Sequence, residues 1–325
     1  MPLLYKGITM NTKTKADYLK LATHFIQVRL LDSNIQPTER SIRQALIAIA
    51  IERRPGYWRR LRCALVAQQR DAGFTKTADK LKTVVNPVTN PDSPAELRAM
   101  KKPKQKRCKT VKKEEHMALK QHFENKKDFA VVAALETVRI LGCRPAEIMG
   151  LKLLCNNQVL ITGVKKTEDG KRGLDRTVTV TEDDYNILSY SRGALFDEVN
   201  FNRKKGMPER AMHRIQHRLA TATKNLWPRR KHRITLYSYR HLMGCDLKAS
   251  GMNRTEVAAI MGHQSVDSVN VYGNSHTSQR QPVINASQQS VDSVRKTSVK
   301  TTDYKKSSKA PSRKQQVLNS INQPI

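Results

Sequence analysis

One stretch of the sequence cannot contribute to a hydrophobic core, and it divides the chain in two. Pro87, Pro91 and Pro94 interrupt regular structure, and residues 101–109 that follow are mostly Lys and Arg without a single acid. Prolines and like charges at this density favour an extended tether over packed structure. We therefore predict an interdomain linker over residues 87–113. The length of 325 residues also favours two domains over one.

The segment before the linker, residues 1–86, has the pattern of a small helical bundle. Apolar residues recur at three- and four-residue spacing at Tyr18, Leu21, Ala22, Phe25, Val28 and Leu31. Pro37 and Thr38 then predict the start of a second helix, and Gly73 predicts the end of a third. We expect a helical domain here.

The segment after the linker, residues 114–278, is predicted to be helical apart from one β-hairpin. Gly142 should end a buried helix in the left-handed conformation, and Pro145 is well placed as the first residue of the next. The β-rich runs 159–162 and 177–180 flank a turn, so they predict an antiparallel pair. The fold class is therefore mainly α with a small antiparallel hairpin or sheet.

Toward the C terminus the sequence becomes rich in Ser, Thr, Gln, Asn and Lys. We predict that residues 279–325 form a basic and mostly disordered tail. The sequence QSVDSV at residues 264–269 recurs at residues 289–294. Ser265 and Ser290, which occupy the same position in the two copies, are both candidate helix caps.

The charge of the chain calls for a polyanionic partner. Sixty Lys and Arg residues against 28 Asp and Glu give a formal net charge of +32, which opposes self-association. The longest apolar run, residues 45–51, is too short to span a membrane, and the start lacks the apolar stretch of a signal peptide. We expect a cytoplasmic protein that binds no membrane.

The five cysteines indicate neither disulfides nor a metal site. Their number is odd, and no two of them form a C-x-x-C pair. This pattern is typical of reduced thiols in a cytoplasm.

Two basic clusters are candidates for contacts with the phosphates of a nucleic acid. Arginines surround the helix break at Pro55 beside Tyr57 and Trp58, and lysines fill the linker. A solvated helix end and a solvated tether are the plain alternatives, and the sequence leaves both open. The candidate DNA-binding residues are Arg59, Arg60, Lys101, Lys102, Lys104 and Lys106.

Four motifs of the second domain occur in a definite order. They are Gly-Cys-Arg-Pro-Ala-Glu at 142–147, Val-Lys-Lys-Thr at 164–167, Tyr-Ser-Tyr-Arg-His at 237–241, and Met-Gly-His at 261–263 with Tyr272 nine residues after the histidine. This series resembles the catalytic domain of the tyrosine recombinases, the phage integrase family. The resemblance spans about residues 114–272, and the helical domain and linker resemble the family's core-binding half in type and order.

The resemblance implies a set of catalytic residues. Tyr272 would be the nucleophile, because a phenol can replace the sugar oxygen on a phosphate and later leave again. Arg144 and Arg240 would clamp the non-bridging oxygens, since guanidinium groups contact two oxygens at once. His263 would donate a hydrogen bond to the phosphate or handle the tyrosine proton.

Two positions are less settled. Lys166 best matches the family's hairpin lysine, which would protonate the leaving oxygen, but Lys165 competes and alternation puts the two on opposite faces. Tyr237 stands where the family usually has histidine. A phenol can donate a hydrogen bond to phosphate but is a poor base near neutral pH, so Tyr237 is a candidate phosphate contact only.

The resemblance implies a site-specific DNA recombinase or integrase of a bacterial mobile element that forms a 3′-phosphotyrosine intermediate. It would act as a homotetramer on double-stranded DNA with an inverted-repeat core site and require no cofactor. Participation of an accessory DNA-binding protein stays open. The alternatives are a catalytically impaired DNA-binding protein of the same fold, which Tyr237 favours, and a DNA-relaxing topoisomerase of related chemistry.

Overall fold

The computed structural model describes residues 12–104, 106–164, 173–272 and 278–295. The chain divides into two compact units, Met1–Gln105 and Lys106–Ile325. Each unit has its own cluster of buried apolar side chains.

The first unit is a helical bundle. Its helices are α1 (Thr12–Arg29), α2 (Glu39–Ala48), α3 (Pro55–Asp71), α4 (Thr75–Thr83) and α5 (Ala95–Ala99), with a short 3₁₀ helix at Leu31–Ser33. Thr38 caps α2 by accepting a hydrogen bond from the Ser41 amide, and Pro55 begins α3. The indole of Trp58 is buried and donates a hydrogen bond to the Leu46 carbonyl at 2.7 Å, which ties α3 to α2.

Less of the predicted linker lies between the units than the composition suggested. Val88 is buried in the core of the first unit, and Leu97 of α5 packs against the same core. Val111, near the other end of the predicted stretch, is buried in the core of the second unit. Isolated apolar residues can anchor a polar stretch to a core. The average composition of the stretch does not reveal them.

The second unit is built from helices around a small sheet. Its elements are α6 (Lys113–Asn125), α7 (Phe129–Leu141), β1 (Lys152–Leu153), β2 (Gln158–Ile161), β3 (Arg176–Val180), α8 (Glu182–Lys204), α9 (Ala211–Leu226), α10 (Leu236–Ala249), α11 (Arg254–Ile260), β4 (Ile284–Ala286) and α12 (Gln288–Asp292). Short 3₁₀ helices occur at Pro145–Gly150, Pro208–Arg210 and Val266–Val271. Across the described parts of the chain, the helices are too short or too polar to cross a membrane.

The sheet is antiparallel with strand order β1-β2-β3-β4. The predicted hairpin is present, since β2 pairs with β3 and Val159 lies opposite Val178. Its tip, residues 165–172, lies outside the described residues. Burial alternates along β3, so that Arg176, Val178 and Val180 face inward. The mainly helical fold with a small antiparallel sheet is the predicted class.

The predicted disordered tail begins with ordered structure. β4 pairs with β3, and Ile284 and Val294 are buried in the core of the second unit. Local composition suggested disorder because β4 has only three residues and its partner strand lies about 100 residues earlier. Residues 296–325 lie outside the described residues.

The two copies of QSVDSV take different structures side by side. Ser265 caps the 3₁₀ helix by accepting a hydrogen bond from the Asp267 amide. At the second copy the cap is Ser287, two residues before the copy begins, and Ser290 is buried one turn later. The Arg295 amide donates a hydrogen bond to the Gln264 carbonyl at 2.8 Å, so the segments of the two copies meet.

We predict that residues 279–295 stabilise the second unit. A chain ending at residue 278 should lose about 3 kcal/mol or more in free energy of unfolding, because burial of Ile284 and Val294 contributes roughly 1.5–3 kcal/mol each. A chain ending at residue 295 is the control and should match the full chain. Urea unfolding followed by Trp227 fluorescence in a Trp58→Phe background measures the second unit alone. Equal stability of the two truncated chains would contradict the packing of β4 and α12.

Candidate active site

Arg144 lies at the corner between α7 and the following 3₁₀ helix. The chain turns there because Gly142 adopts φ +57°, and a Cβ at this position would collide with the Met243 side chain. Arg144 then precedes Pro145, with its backbone extended. Its guanidinium donates hydrogen bonds to Glu147 Oε1 at 2.6 Å and to the Gly262 carbonyl at 3.1 Å.

Glu147 is fully buried between two arginines. Oε2 accepts from the Arg144 amide at 2.8 Å and from Arg176 Nη2 at 2.9 Å. Burial alone would raise the pKa of Glu147, but the charge and hydrogen bond of Arg176, with the contacts of Arg144, outweigh it and lower the pKa to about 2. The carboxylate is therefore ionised and orients the corner.

Arg240 is fully buried on α10. Nη1 donates to the Gly142 carbonyl at 2.6 Å, and Nη2 donates to the Met261 carbonyl. Burial lowers the pKa of Arg240, and the charge of Arg144 lowers it further. Because an arginine stays charged in proteins, two cations are held close together before any phosphate is bound.

His263 follows a left-handed glycine, Gly262, after the end of α11. The His263 amide donates to the Ala258 carbonyl at 2.8 Å, which fixes the turn. Its Nε2 lies 3.2 Å from Arg240 Nη2. Since a guanidinium only donates, Nε2 is the acceptor in this hydrogen bond.

The Tyr272 ring contacts two of these side chains and also His241 of α10. It lies with its centroid 5.0 Å from Arg240 Cζ, 4.8 Å from the His263 ring and 5.1 Å from the His241 ring. Gly244 of α10 permits this approach, because a Cβ there would be 3.0 Å from Tyr272 Cβ. The nine-residue spacing between His263 and Tyr272 therefore brings the two rings together.

The two tyrosines of the motif at 237–241 differ from Tyr272 in environment. Tyr239 is buried against His116, whose Nδ1 lies 3.1 Å from the phenol oxygen. Burial raises the pKa of Tyr239, and Glu136 raises it further, so its phenolate is unfavourable. Tyr237 is 38% exposed and lies one helical turn before Arg240.

The structure locates the remaining predicted residues as follows. Lys166 and its competitor Lys165 lie outside the described residues, so their roles stay a prediction. Arg59 and Arg60 are exposed on α3. The linker lysines Lys101, Lys102, Lys104 and Lys106 are likewise exposed. Exposure leaves both groups accessible to a phosphate backbone.

Sequence reasoning missed three charged residues around the site. Arg176 reaches Glu147 from β3; Lys248, buried on α10, donates to the Tyr272 carbonyl. Asp246, also on α10, accepts hydrogen bonds from Ser278 Oγ at 3.0 Å and from the Gln279 amide at 2.8 Å. Helix α10 therefore binds the chain at Tyr272 through Lys248 and again at Ser278 and Gln279 through Asp246. For Arg176 the sequence did carry a signal, because this charged residue occupies the inward-facing register of strand β3.

A metal centre does not form from the described parts of the chain. Those ranges contain no group of three or more His, Cys, Asp or Glu side chains arranged to hold an ion. Arg144, Arg176 and Arg240 carry positive charge in the cluster.

Comparison with known protein families identifies the family of this chain. The model of the phage integrase family matches residues 109–279, more than half of the chain. The chain belongs to the phage integrase family. It is thus a tyrosine-type site-specific recombinase by family. A comparison with curated proteins gives no match.

Solved structures with the same fold include two phage recombinase complexes and a transposon enzyme. The lambda integrase tetramer bound to a Holliday junction is 13% identical with a TM-score of 0.52, covering 85% of this chain and 76% of that one. The lambda integrase dimer on a COC′ core site is 15% identical with a TM-score of 0.51, and the match covers 82% of this chain and 73% of that one. A Tn1549 transposon integrase with circular intermediate DNA is 14% identical with a TM-score of 0.50, covering 82% and 91%. These likenesses concern the fold.

We predict a pH-dependent stability that comes from Glu147. Because its pKa is about 2 in the fold and 4.5 in the reference state, ionised Glu147 stabilises the protein fully above pH 4.5. That contribution, on the order of 3 kcal/mol, is lost as the pH falls toward 2. The stability difference between the parent and Glu147→Gln should therefore shrink from pH 5 to pH 2.

Urea unfolding at a series of pH values measures this difference. Glu209→Gln, a change at an exposed position, is the control and should track the parent throughout. A constant difference between the parent and Glu147→Gln over this range would contradict the buried ion pair.

Proposed function

We propose that this recombinase cuts and rejoins DNA through a 3′-phosphotyrosine formed on Tyr272. One observation carries the proposal: Arg144, Arg240, His263 and Tyr272 lie in one cluster although they come from separate elements. These four residues match the residue types in the family's motifs, and their side chains lie close together in the fold.

The cleavage step exchanges one phosphate ester for another. The Tyr272 oxygen attacks the scissile phosphorus, the bond from phosphorus to the 5′ oxygen breaks, and a phosphotyrosine is left on the 3′ end. The phenol proton passes to the imidazole of His263, whose ring lies 4.8 Å from the Tyr272 ring between centroids. Rejoining reverses each step, so the energy of the ester is retained.

Arg144 and Arg240 stabilise the charge that develops on the non-bridging oxygens. Their guanidinium groups are fixed by backbone carbonyls and by Glu147, so they need little reorganisation when the phosphate arrives. Preorganised donors of this kind act most strongly where water is excluded, and Arg240 is fully buried. Two arginines thus supply the positive charge of the site.

Lys166 protonates the 5′ oxygen as it leaves, and Tyr237 donates a hydrogen bond to the phosphate. Both roles come from the family pattern. Lys165 is the competing proton donor, as the sequence left it.

The DNA partner is double-stranded DNA with an inverted-repeat core site. Arg59, Arg60 and the linker lysines contact its backbone, since exposed cations supply the sequence-independent part of DNA affinity. The protein acts as a homotetramer on this DNA, in line with its likeness to lambda integrase, which was solved as a tetramer on a Holliday junction. We place this activity in a bacterial cytoplasm, on a mobile element.

A DNA-binding protein of the same fold that has lost catalysis is the second candidate. Tyr237 favours it, because this position usually carries histidine in the family, and a phenol is a poor base near neutral pH. A topoisomerase would form the same adduct without joining two sites. Recombination between two DNA sites separates the recombinase from the topoisomerase.

We predict that Tyr272→Phe abolishes covalent attachment to DNA and leaves DNA affinity within a small factor. The substrate is nicked DNA from the regions that flank the protein's own gene, chosen for any inverted repeats found there, and adducts are detected on a denaturing gel. Tyr190→Phe, a matched change at a phenol that is 85% exposed in the same unit, should keep the adduct. An adduct that persists in Tyr272→Phe would contradict the assignment. A parent protein that binds but forms no adduct would favour the second candidate.

A further prediction tests Tyr237. Losing a hydrogen bond to the charged phosphate should cost about 1.5–3 kcal/mol of transition-state stabilisation, so Tyr237→Phe should cleave on the order of ten- to a hundredfold more slowly. Tyr237→His should cleave at least as fast as the parent, because imidazole is also a donor and titrates near neutral pH. Single-turnover cleavage of a nicked substrate across pH measures both. Parental cleavage by Tyr237→Phe would remove Tyr237 from the phosphate site.

A further inference from the structure

We propose that Arg176 is a positioning residue for cleavage, acting through Glu147 to hold Arg144 in the orientation that the phosphate requires. The inference rests on the proposed role of Arg144. Arg176 is the first residue of β3 and is 3% exposed, at a strand register that otherwise carries the buried valines Val178 and Val180. A guanidinium is costly to bury there unless it is paired and hydrogen-bonded.

The contacts of Arg176 connect it to both halves of the site. Its Nη2 donates to Glu147 Oε2 at 2.9 Å, and its Nε donates to the Ile260 carbonyl at 2.8 Å. The first contact lies on the corner that holds Arg144, and the second lies at the end of α11, just before His263. One planar group therefore spans β3, the corner and the α11 turn.

Glu147 needs this contact in order to orient Arg144. Its Oε1 accepts from the Arg144 guanidinium at 2.6 Å, while Oε2 serves the Arg144 amide and Arg176. Without Arg176, the carboxylate would lose one of its two cationic partners and could rotate about its terminal torsion, which has broad rotamer preferences. The Arg144 guanidinium would then lose its fixed orientation.

Gly262 makes room for the same guanidinium. A Cβ on Gly262 would lie 2.5 Å from Arg176 Nη1, and the glycine adopts φ +62°. The Gly262 carbonyl is also the second acceptor for the Arg144 guanidinium, at 3.1 Å. Arg176 and Arg144 thus contact the same glycine, one at its α-carbon and the other at its carbonyl.

The shape of arginine, and not its charge alone, is needed for this role. Nε and Nη2 point in different directions from one rigid plane, which lets a single side chain serve Ile260 and Glu147 together. A lysine has one ammonium and cannot fix both acceptors in that geometry. Arg176→Lys therefore keeps the buried charge while removing the orientation, and it is the central variant.

The test separates positioning from folding and from DNA binding. Single-turnover cleavage of nicked DNA by Arg176→Lys should fall on the order of tenfold to a hundredfold, as expected when a reacting group shifts by about 1 Å. DNA affinity should stay within about twofold. Orthovanadate resembles the transition state once the Tyr272 oxygen and the 5′ oxygen bind its vanadium and make it five-coordinate. It should bind the protein–DNA complex more weakly by a factor similar to the loss in rate.

Arg139→Lys is the matched control. Arg139 also pairs with a mostly buried carboxylate, donating to Glu136 at 2.6 Å, but it takes no part in the cluster around Tyr272. Glu136 resembles Glu147 in having its pKa lowered to about 2: burial opposes this, and the partners His116 and Arg139 outweigh it. We expect Arg139→Lys to leave both the cleavage rate and the vanadate affinity unchanged.

Crystal structures of the parent and Arg176→Lys give a readout that does not depend on activity. A rotated Arg144 guanidinium in the variant supports the proposal, even if Tyr272→Phe disproves the proposed function. An Arg144 that keeps both its contacts overturns the proposal, and so does parental vanadate affinity in an active protein. A rate loss that Arg139→Lys reproduces would assign Arg176 to folding alone and likewise overturn it.

Discussion

The site depends on one buried carboxylate shared by two arginines. Glu147 accepts hydrogen bonds from the side chain and backbone of Arg144 and from Arg176, so it balances part of the positive charge that the fold gathers there. Removing one member of a buried ion cluster usually destabilises a protein more than an apolar replacement of the whole cluster would. In a site that cleaves a phosphate ester, apolar residues cannot replace the cluster, because the substrate needs its cations.

Much of the site could be predicted from the sequence because its motifs encode local geometry. Gly142 ends α7 in the left-handed conformation, and Pro145 begins the next helical turn, which leaves Arg144 at a corner as expected. The nine-residue spacing between His263 and Tyr272 was part of the family resemblance, and the two rings lie 4.8 Å apart in the fold. In each case a short run of chain determines the arrangement.

What the sequence did not reveal depends on contacts between distant segments. β4 is three residues long and becomes ordered by pairing with β3, and Val88 leaves the predicted linker for a core built from earlier helices. Lys248 reaches the Tyr272 carbonyl across 24 positions. Composition averaged over a window contains none of this information. Arg176 was the exception, because its inward register next to valines could have been recognised.

The Tyr272 ring lies against the Arg240 guanidinium, and Arg240 has no exposed surface. A phosphate can reach that cation only if a group that covers it moves, and the Tyr272 ring is one of the groups packed against it. In the DNA-free protein, small anions such as free phosphate and nucleotides therefore find this guanidinium covered.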